Sequence, residues 1–152
     1  MATLEALREG LPEWARDLKL NLQNVLGESS LSLAQRLGIA LAVATATRRS
    51  DWAKALREEA EAQVGPAVVE DALAAAALMG MTNVFYRFRH LVGNEGYAQF
   101  PARLRMNRLA KPAGDKLDFE LFCLAVSAVN ACEACVRSHE AALLKGGMTE
   151  AQ

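Results

Sequence analysis

Asp118-Phe119-Glu120-Leu121-Phe122-Cys123-Leu124-Ala125-Val126-Ser127-Ala128-Val129-Asn130-Ala131-Cys132-Glu133-Ala134-Cys135-Val136-Arg137-Ser138-His139 holds the densest chemistry of the chain, and its fold depends on what happens at Asn130. Phe119, Phe122, Leu124, Ala125, Val126 and Val129 recur as on one apolar helix. A C-x-x-C segment then continues through Leu143 and Leu144 to Gly146-Gly147. In one straight helix Glu120 and His139 would lie about 28 Å apart, at roughly 1.5 Å per residue. A turn at Asn130-Ala131 instead folds two helices back on each other and brings the carboxylate to the imidazole, directly or through a water. Asn130 suits such a turn because asparagine tolerates the left-handed conformation. We therefore expect an antiparallel helix pair.

The chemistry of that pair follows from spacing. Cys132 and Cys135 are i and i+3, close enough for their sulfurs to meet at a helix start, where unpaired N–H groups favour a thiolate. Cys135 and His139 are i and i+4, roughly 40° apart around the axis, so the imidazole can face that sulfur. These features suggest dithiol redox chemistry. They leave the more acidic thiol open, because the helix N-terminus favours Cys132 and the histidine spacing favours Cys135.

Outward from this segment the pattern is helical, with no run of clean period-two alternation. Thr3 caps a short helix over Leu4 to Glu9, and Pro12 opens a second through Trp14, Leu18 and Leu22 to Val25. Ser30 or Ser32 opens a third, with Leu33, Leu37, Ala40, Leu41 and Ala44 on its buried face. Asp51 starts a polar helix, expected to be the most exposed, which stops at Gly65-Pro66. From Val68 the chain is small and apolar, and then aromatic at Phe85, Tyr86 and Phe88. This long helix is the expected centre of the fold. Residues 93–116 read as a loop region with a short helix over Ala102 to Leu109, and Asp118 opens the last unit. Thr149 to Gln152 has the S/T-x-x-E/Q form of a capping box. No linker, low-complexity run or internal repeat is visible, so residues 1–152 are read as a single all-α domain.

With 17 Lys and Arg against 18 Asp and Glu, the chain lacks the basic clustering of a nucleic-acid binder. Arg48-Arg49 and Arg87 with Arg89 read as solvated faces or ion pairs. Glu5, Arg8 and Glu9 occupy the place of a signal peptide's apolar core. The uncharged run from Ala72 to Tyr86 is shorter than a bilayer span. A cytoplasmic location without membrane insertion is expected, and there a C-x-x-C pair is more often catalytic or metal-binding than structural.

Plainer readings exist for each residue. The cysteines can be small buried side chains, Glu120 a solvated helix residue, His90 a helix-end residue, and Cys123, Met79, Met81 and Met106 core or interface filler. Cys132, Cys135 and His139 can also serve zinc, with His90 or Cys123 as the fourth ligand.

Several stretches together are similar to the alkylhydroperoxidase D family of the carboxymuconolactone decarboxylase-like superfamily. They are Asp17-Leu18-Lys19-Leu20-Asn21-Leu22, Met79 through Phe88, Leu104-Arg105-Met106-Asn107, Asp118-Phe119-Glu120-Leu121, Ala125 to Asn130, and His139-Glu140. The resemblance covers nearly the whole chain. It implies an all-helical bundle, assembled as a homotrimer, with antioxidant peroxidase activity. It also implies roles: Glu120 relays protons through a water to His139, His139 acts as base on Cys135, and Cys135 attacks the peroxide and becomes a sulfenic acid. Cys132 then donates a proton and closes the Cys132–Cys135 disulfide. By the same resemblance Cys135 forms a mixed disulfide with a partner peroxiredoxin, and a dihydrolipoyl protein returns the electrons, with no bound cofactor or metal. Some relatives carry a histidine where this chain has Ala134. Family chains usually continue into one more helix beyond the position of Gln152, which leaves trimer contacts and site enclosure open. The alternatives are a protein disulfide reductase with little direct peroxidase activity, and a zinc-stabilised helical interaction module.

Overall fold

The computed structural model describes residues 3–27 and 29–152, and every regular element in them is a helix. Helix α1 (Leu4–Glu9) is capped by Thr3, whose Oγ1 accepts the Ala6 N–H at 3.1 Å. α2 (Arg16–Leu26) begins later than expected: Pro12 leads a 3-10 turn over Glu13–Ala15, and Ala15 at φ −105°, ψ 20° breaks the continuity. α3 (Leu33–Ala46) has a full capping box between Ser32 and Gln35 and buries Leu37, Leu41 and Ala44 as expected, with Leu33 exposed and Ala40 half-buried. α4 (Ser50–Gln63) buries Ala55, Leu56 and Ala60, so it is not the most exposed helix. α2 is more exposed, burying no residue fully.

The centre is α5 (Pro66–Val92), as its small side chains imply. Ala72, Ala75 and Ala76 let α3 and α8 approach closely, and Leu41, Met79, Phe119, Phe122 and Val126 fill the space between the three helices. At 27 residues α5 outruns the apolar run read from the sequence. It is long and apolar enough to cross a bilayer, but here one face of it forms the protein core. The loop region holds α6 (Glu95–Ala98) and α7 (Asn107–Ala110) rather than one helix over 102–109, because Pro101 and a left-handed Arg103 (φ 52°) interrupt it. α8 (Lys116–Val129) starts before Asp118: Asp115 is the cap, accepting the Leu117 and Asp118 N–H groups at 2.8 and 3.0 Å. α9 (Glu133–Lys145) completes the hairpin, ending at Gly146.

The sequence displays no internal repeat, but the helix boundaries do repeat. α3 and α8 have matching bounds at a spacing of 83 residues, the separation of Gln35 and Asp118, which hydrogen-bond to each other at 2.8 Å. The helix ends match as well. Arg48 (φ 60°) and Ala131 (φ 52°) are both left-handed, and Arg49 N–H and Cys132 N–H donate to the Ala44 and Ser127 carbonyls at 3.0 and 3.1 Å. α4 and α9 then start at equivalent positions, and Thr149 stands where α5 begins in the first repeat. There the Gln152 side chain accepts the Thr149 N–H at 3.0 Å, one half of the capping box. The duplication was hidden because equivalent positions carry unlike chemistry: Leu37 against Glu120, Arg49 against Cys132, Trp52 against Cys135, and Leu56 against His139.

Candidate active site

The turn between α8 and α9 sets the cysteines. Asn130 is not its left-handed residue, since it lies at φ −81°; Ala131 takes that conformation. Ala131 N–H donates to the Ala128 carbonyl and Cys132 N–H to the Ser127 carbonyl, the paired bonds that close a helix before a reversal. An L-alanine there costs about 1–2 kcal/mol of local strain. Asn130 contributes through its side chain, whose Nδ2 donates to Asn83 Oδ1 at 3.0 Å.

Cys132 becomes the N-cap residue of α9 and Cys135 stands in its first turn. The two are joined as a disulfide with Cα atoms 5.3 Å apart. Cys132 is almost wholly buried, at 1% exposure, whereas Cys135 retains 7%. Cys135 also lines a cavity of about 350 Å³ together with His139, Ser138, Met79, Tyr86 and Met106, while Cys132 does not. Of the two sulfurs, Cys135 is therefore the one open to a small molecule.

The antiparallel pair brings Glu120 on α8 to His139 on α9, with Oε2 and Nδ1 2.7 Å apart in direct contact. Both side chains are largely enclosed, so the pair is shielded from screening. With Nδ1–H donating to the carboxylate, Nε2 carries the free lone pair. That nitrogen lies 3.3 Å from the Met79 sulfur. Cys135 and His139 thus stand on one cavity wall, with Glu120 hydrogen-bonded to His139 and Cys132 bonded to Cys135 outside the lining.

A buried polar network behind them was not read from the sequence. Asn83 Nδ2 donates to Ser127 Oγ at 3.0 Å, Asn130 donates to Asn83, and Arg87 Nη1 donates to the Asn130 carbonyl at 2.6 Å. Arg87 is therefore no solvated charge: it ties α5 to the turn that carries Cys132. Arg89 reaches the Phe100 carbonyl and lies over the Phe85 ring, 4.4 Å from its centre. The available signal was Thr82-Asn83, polar residues inside the apolar run of α5, which bury fully. Asp71 is another buried polar residue of α5. It accepts from Arg108 Nη2 at 2.9 Å and from the Ala113 and Gly114 N–H groups at 2.8 and 2.7 Å, holding the segment that places Met106 and Leu109 at the cavity.

The remaining candidates fall elsewhere. Cys123 is fully buried, and burial, aided by the charges of Glu120 and Asp71, pushes its thiol far above the ordinary range. It is an inert core residue. His90 is exposed, with Nε2 3.6 Å from Glu133 Oε2, and Met81 is 38% exposed rather than core. Among the described residues no three His, Cys, Asp or Glu side chains converge as a metal site would require.

Residues 95–152, which contain the whole helix pair, match the carboxymuconolactone decarboxylase family. The complete chain is similar to proteins named alkyl hydroperoxide reductase AhpD. It is 63% identical over 152 residues to the one from Anaeromyxobacter sp. (strain K), covering 100% of this chain and 82% of the relative. It is 46% identical over 149 residues to that of Rhodopseudomonas palustris (strain BisB18), covering 98% and 82%. The Gluconacetobacter diazotrophicus protein is 46% identical over 150 residues, with 99% and 82% covered.

Proposed function

The chain belongs to the alkyl hydroperoxide reductase AhpD family, and from that premise we propose that it reduces alkyl hydroperoxides through a Cys132–Cys135 dithiol/disulfide cycle. The observation that carries the proposal is the enclosed Glu120–His139 contact at 2.7 Å on the cavity that Cys135, and not Cys132, lines. With Glu120 accepting at Nδ1, His139 takes the Cys135 proton at Nε2, and the carboxylate stabilises the imidazolium that forms. The direct contact lets Glu120 act without the intervening water that the family resemblance implied. The N–H groups of the first turn of α9 favour the thiolate in the same place.

The Cys135 thiolate then attacks the terminal peroxide oxygen. The O–O bond breaks, Cys135 becomes a sulfenic acid, and a proton from Cys132 converts the departing alkoxide to the alcohol. The Cys132 thiolate attacks the sulfenic sulfur and water leaves, closing the disulfide seen here. Two thiols and one hydroperoxide give one disulfide, one alcohol and one water. Reduction needs two electrons from outside, supplied in this reading by a dihydrolipoyl protein. Cys135, the more open sulfur, forms the mixed disulfide through which a peroxiredoxin is served. The protein acts in the cytoplasm as a homotrimer, without a bound cofactor.

Intact mass measurement after one equivalent of tert-butyl hydroperoxide tests this. The reduced protein loses two hydrogens, Cys132→Ser instead traps a sulfenic acid at Cys135, and Cys135→Ser consumes no peroxide. Retained turnover in Cys135→Ser would remove it as nucleophile. Reduced protein inert to peroxide but rapidly oxidised by a disulfide-form peroxiredoxin would make it a disulfide reductase.

A further inference from the structure

We infer that Met79 is a modification site at which excess hydroperoxide switches the protein off, through oxidation of its thioether to the sulfoxide. This rests on the cavity being the hydroperoxide site. Met79 is 1% exposed, yet it lines the cavity with Cys135 and His139. Three polar groups converge on its sulfur: His139 Nε2 at 3.3 Å, Thr82 Oγ1 at 3.5 Å and Asn83 Nδ2 at 3.6 Å. The Thr82 hydroxyl donates to the Leu78 carbonyl at 3.0 Å and Asn83 Nδ2 gives one hydrogen to Ser127, so the second amide hydrogen of Asn83 and, once protonated, His139 are the donors that face the sulfur. Among the described residues no such set of polar contacts surrounds the sulfur of Met106, which lines the same cavity.

Those groups suit the oxidation and its product. The Met79 sulfur attacks the terminal oxygen of the hydroperoxide, the O–O bond breaks, and the hydroxyl proton passes to the departing alkoxide. Sulfur loses two electrons, and one thioether and one hydroperoxide give one sulfoxide and one alcohol. Protonated His139 can assist the leaving oxygen. The sulfoxide oxygen is a much stronger acceptor than the thioether. It accepts from Asn83 Nδ2 and binds protonated His139 at Nε2, the atom that must be bare to take the Cys135 proton. The cysteine cycle then stops while its thiols remain intact. Buried and hydrogen-bonded, the modified side chain stays folded into the site.

The test is graded exposure to tert-butyl hydroperoxide with dithiothreitol recycling the disulfide, followed by peptide mass mapping of Met79, Met81 and Met106. Despite its burial, Met79 gains oxygen at least about fivefold faster than the exposed Met81 two residues away. Activity falls in step with that gain and is not restored by fresh dithiothreitol. Met79→Leu, scored against its own starting rate, withstands a dose that halves wild-type activity. Mapping in Cys135→Ser keeps the two readings apart, because the sulfoxide step uses no cysteine. Oxygen at Met79 both in that variant and in an unsubstituted protein that itself turns over no peroxide would sink the peroxidase reading and leave the modification at Met79 standing. Full inactivation with Met79 unmodified, or with Met81 or Met106 oxidised first, would overturn the inference.

Discussion

Replacing Gly38 by alanine probes the contact on which the paired repeats are built. Gly38 lies fully buried in α3 against the Phe122 ring of α8. An added Cβ would stand 2.1, 2.4 and 2.8 Å from three ring carbons. Ordinary carbon contacts begin near ~3.5 Å, so the ring would have to retreat by more than about 1 Å. Phe122 is 1% exposed and has no solvent to retreat into. Overpacking of this kind costs about 1–3 kcal/mol, and three rigid ring atoms place it at the upper end, while exchanging glycine for alanine inside a helix returns about 1 kcal/mol. The net loss is about 2 kcal/mol, which for a chain of this length lowers the midpoint of thermal unfolding by roughly 4–8 °C. Thermal and urea unfolding of the reduced protein measure it, with an unchanged urea slope showing that only stability moved. In Gly38→Ala combined with Phe122→Leu the new methyl enters space left by the ring, so the two changes cost less than their sum by about 1 kcal/mol or more. A Gly38→Ala protein as stable as wild type, or additive losses in the double variant, would refute the packing argument.

The other predictions concern the site. Glu120→Gln keeps the shape of the His139 contact but removes the charge that stabilises the imidazolium. A charge-assisted hydrogen bond is worth about 1.5–3 kcal/mol, so stopped-flow reaction of the reduced protein with peroxide at neutral pH slows by roughly 10- to 100-fold; an unchanged rate takes Glu120 out of the relay. At Ala131 (φ 52°) glycine removes the left-handed penalty of about 1–2 kcal/mol but costs about 0.4–1 kcal/mol through the unfolded chain, for a net gain of up to about 1.6 kcal/mol. A β-branched valine there loses about 1–2 kcal/mol. Denaturation should rank Ala131→Gly at or above the unsubstituted protein and both above Ala131→Val, and equal stability of the valine variant would show that the turn is not strained.

The all-helical fold was legible wherever local rules decide. Thr3 caps its helix in the structure as in the sequence, Ser32 is the one used of the two candidate caps Ser30 and Ser32, and the spacing of Leu37, Leu41 and Ala44 buries as written. Boundaries failed where a neighbouring residue competes for the same role. Asp115 rather than Asp118 caps α8, leaving Asp118 to accept from Gln35, and the left-handed position fell to Ala131 because Asn130 uses its side chain on Asn83. Burial of α4 and exposure of α2 could not be read from their composition, because burial depends on which helix lies across from each.

The sequence by itself determined the chemistry: which thiols, which imidazole and which carboxylate are present, and that a break must fall between Val129 and Cys132. Only the tertiary structure decided that Cys135 faces the cavity while Cys132 is sealed, that Met79 caps His139, and that Asn83, Ser127 and Arg87 brace the turn. It also decided that the two halves repeat. The physical reason is common to these cases. Helical periodicity and capping are set by residues within one or two turns of each other. A cavity wall, a buried amide network and the pairing of α3 with α8 are set by residues 44 to 83 positions apart, whose contacts leave no periodic trace along the chain.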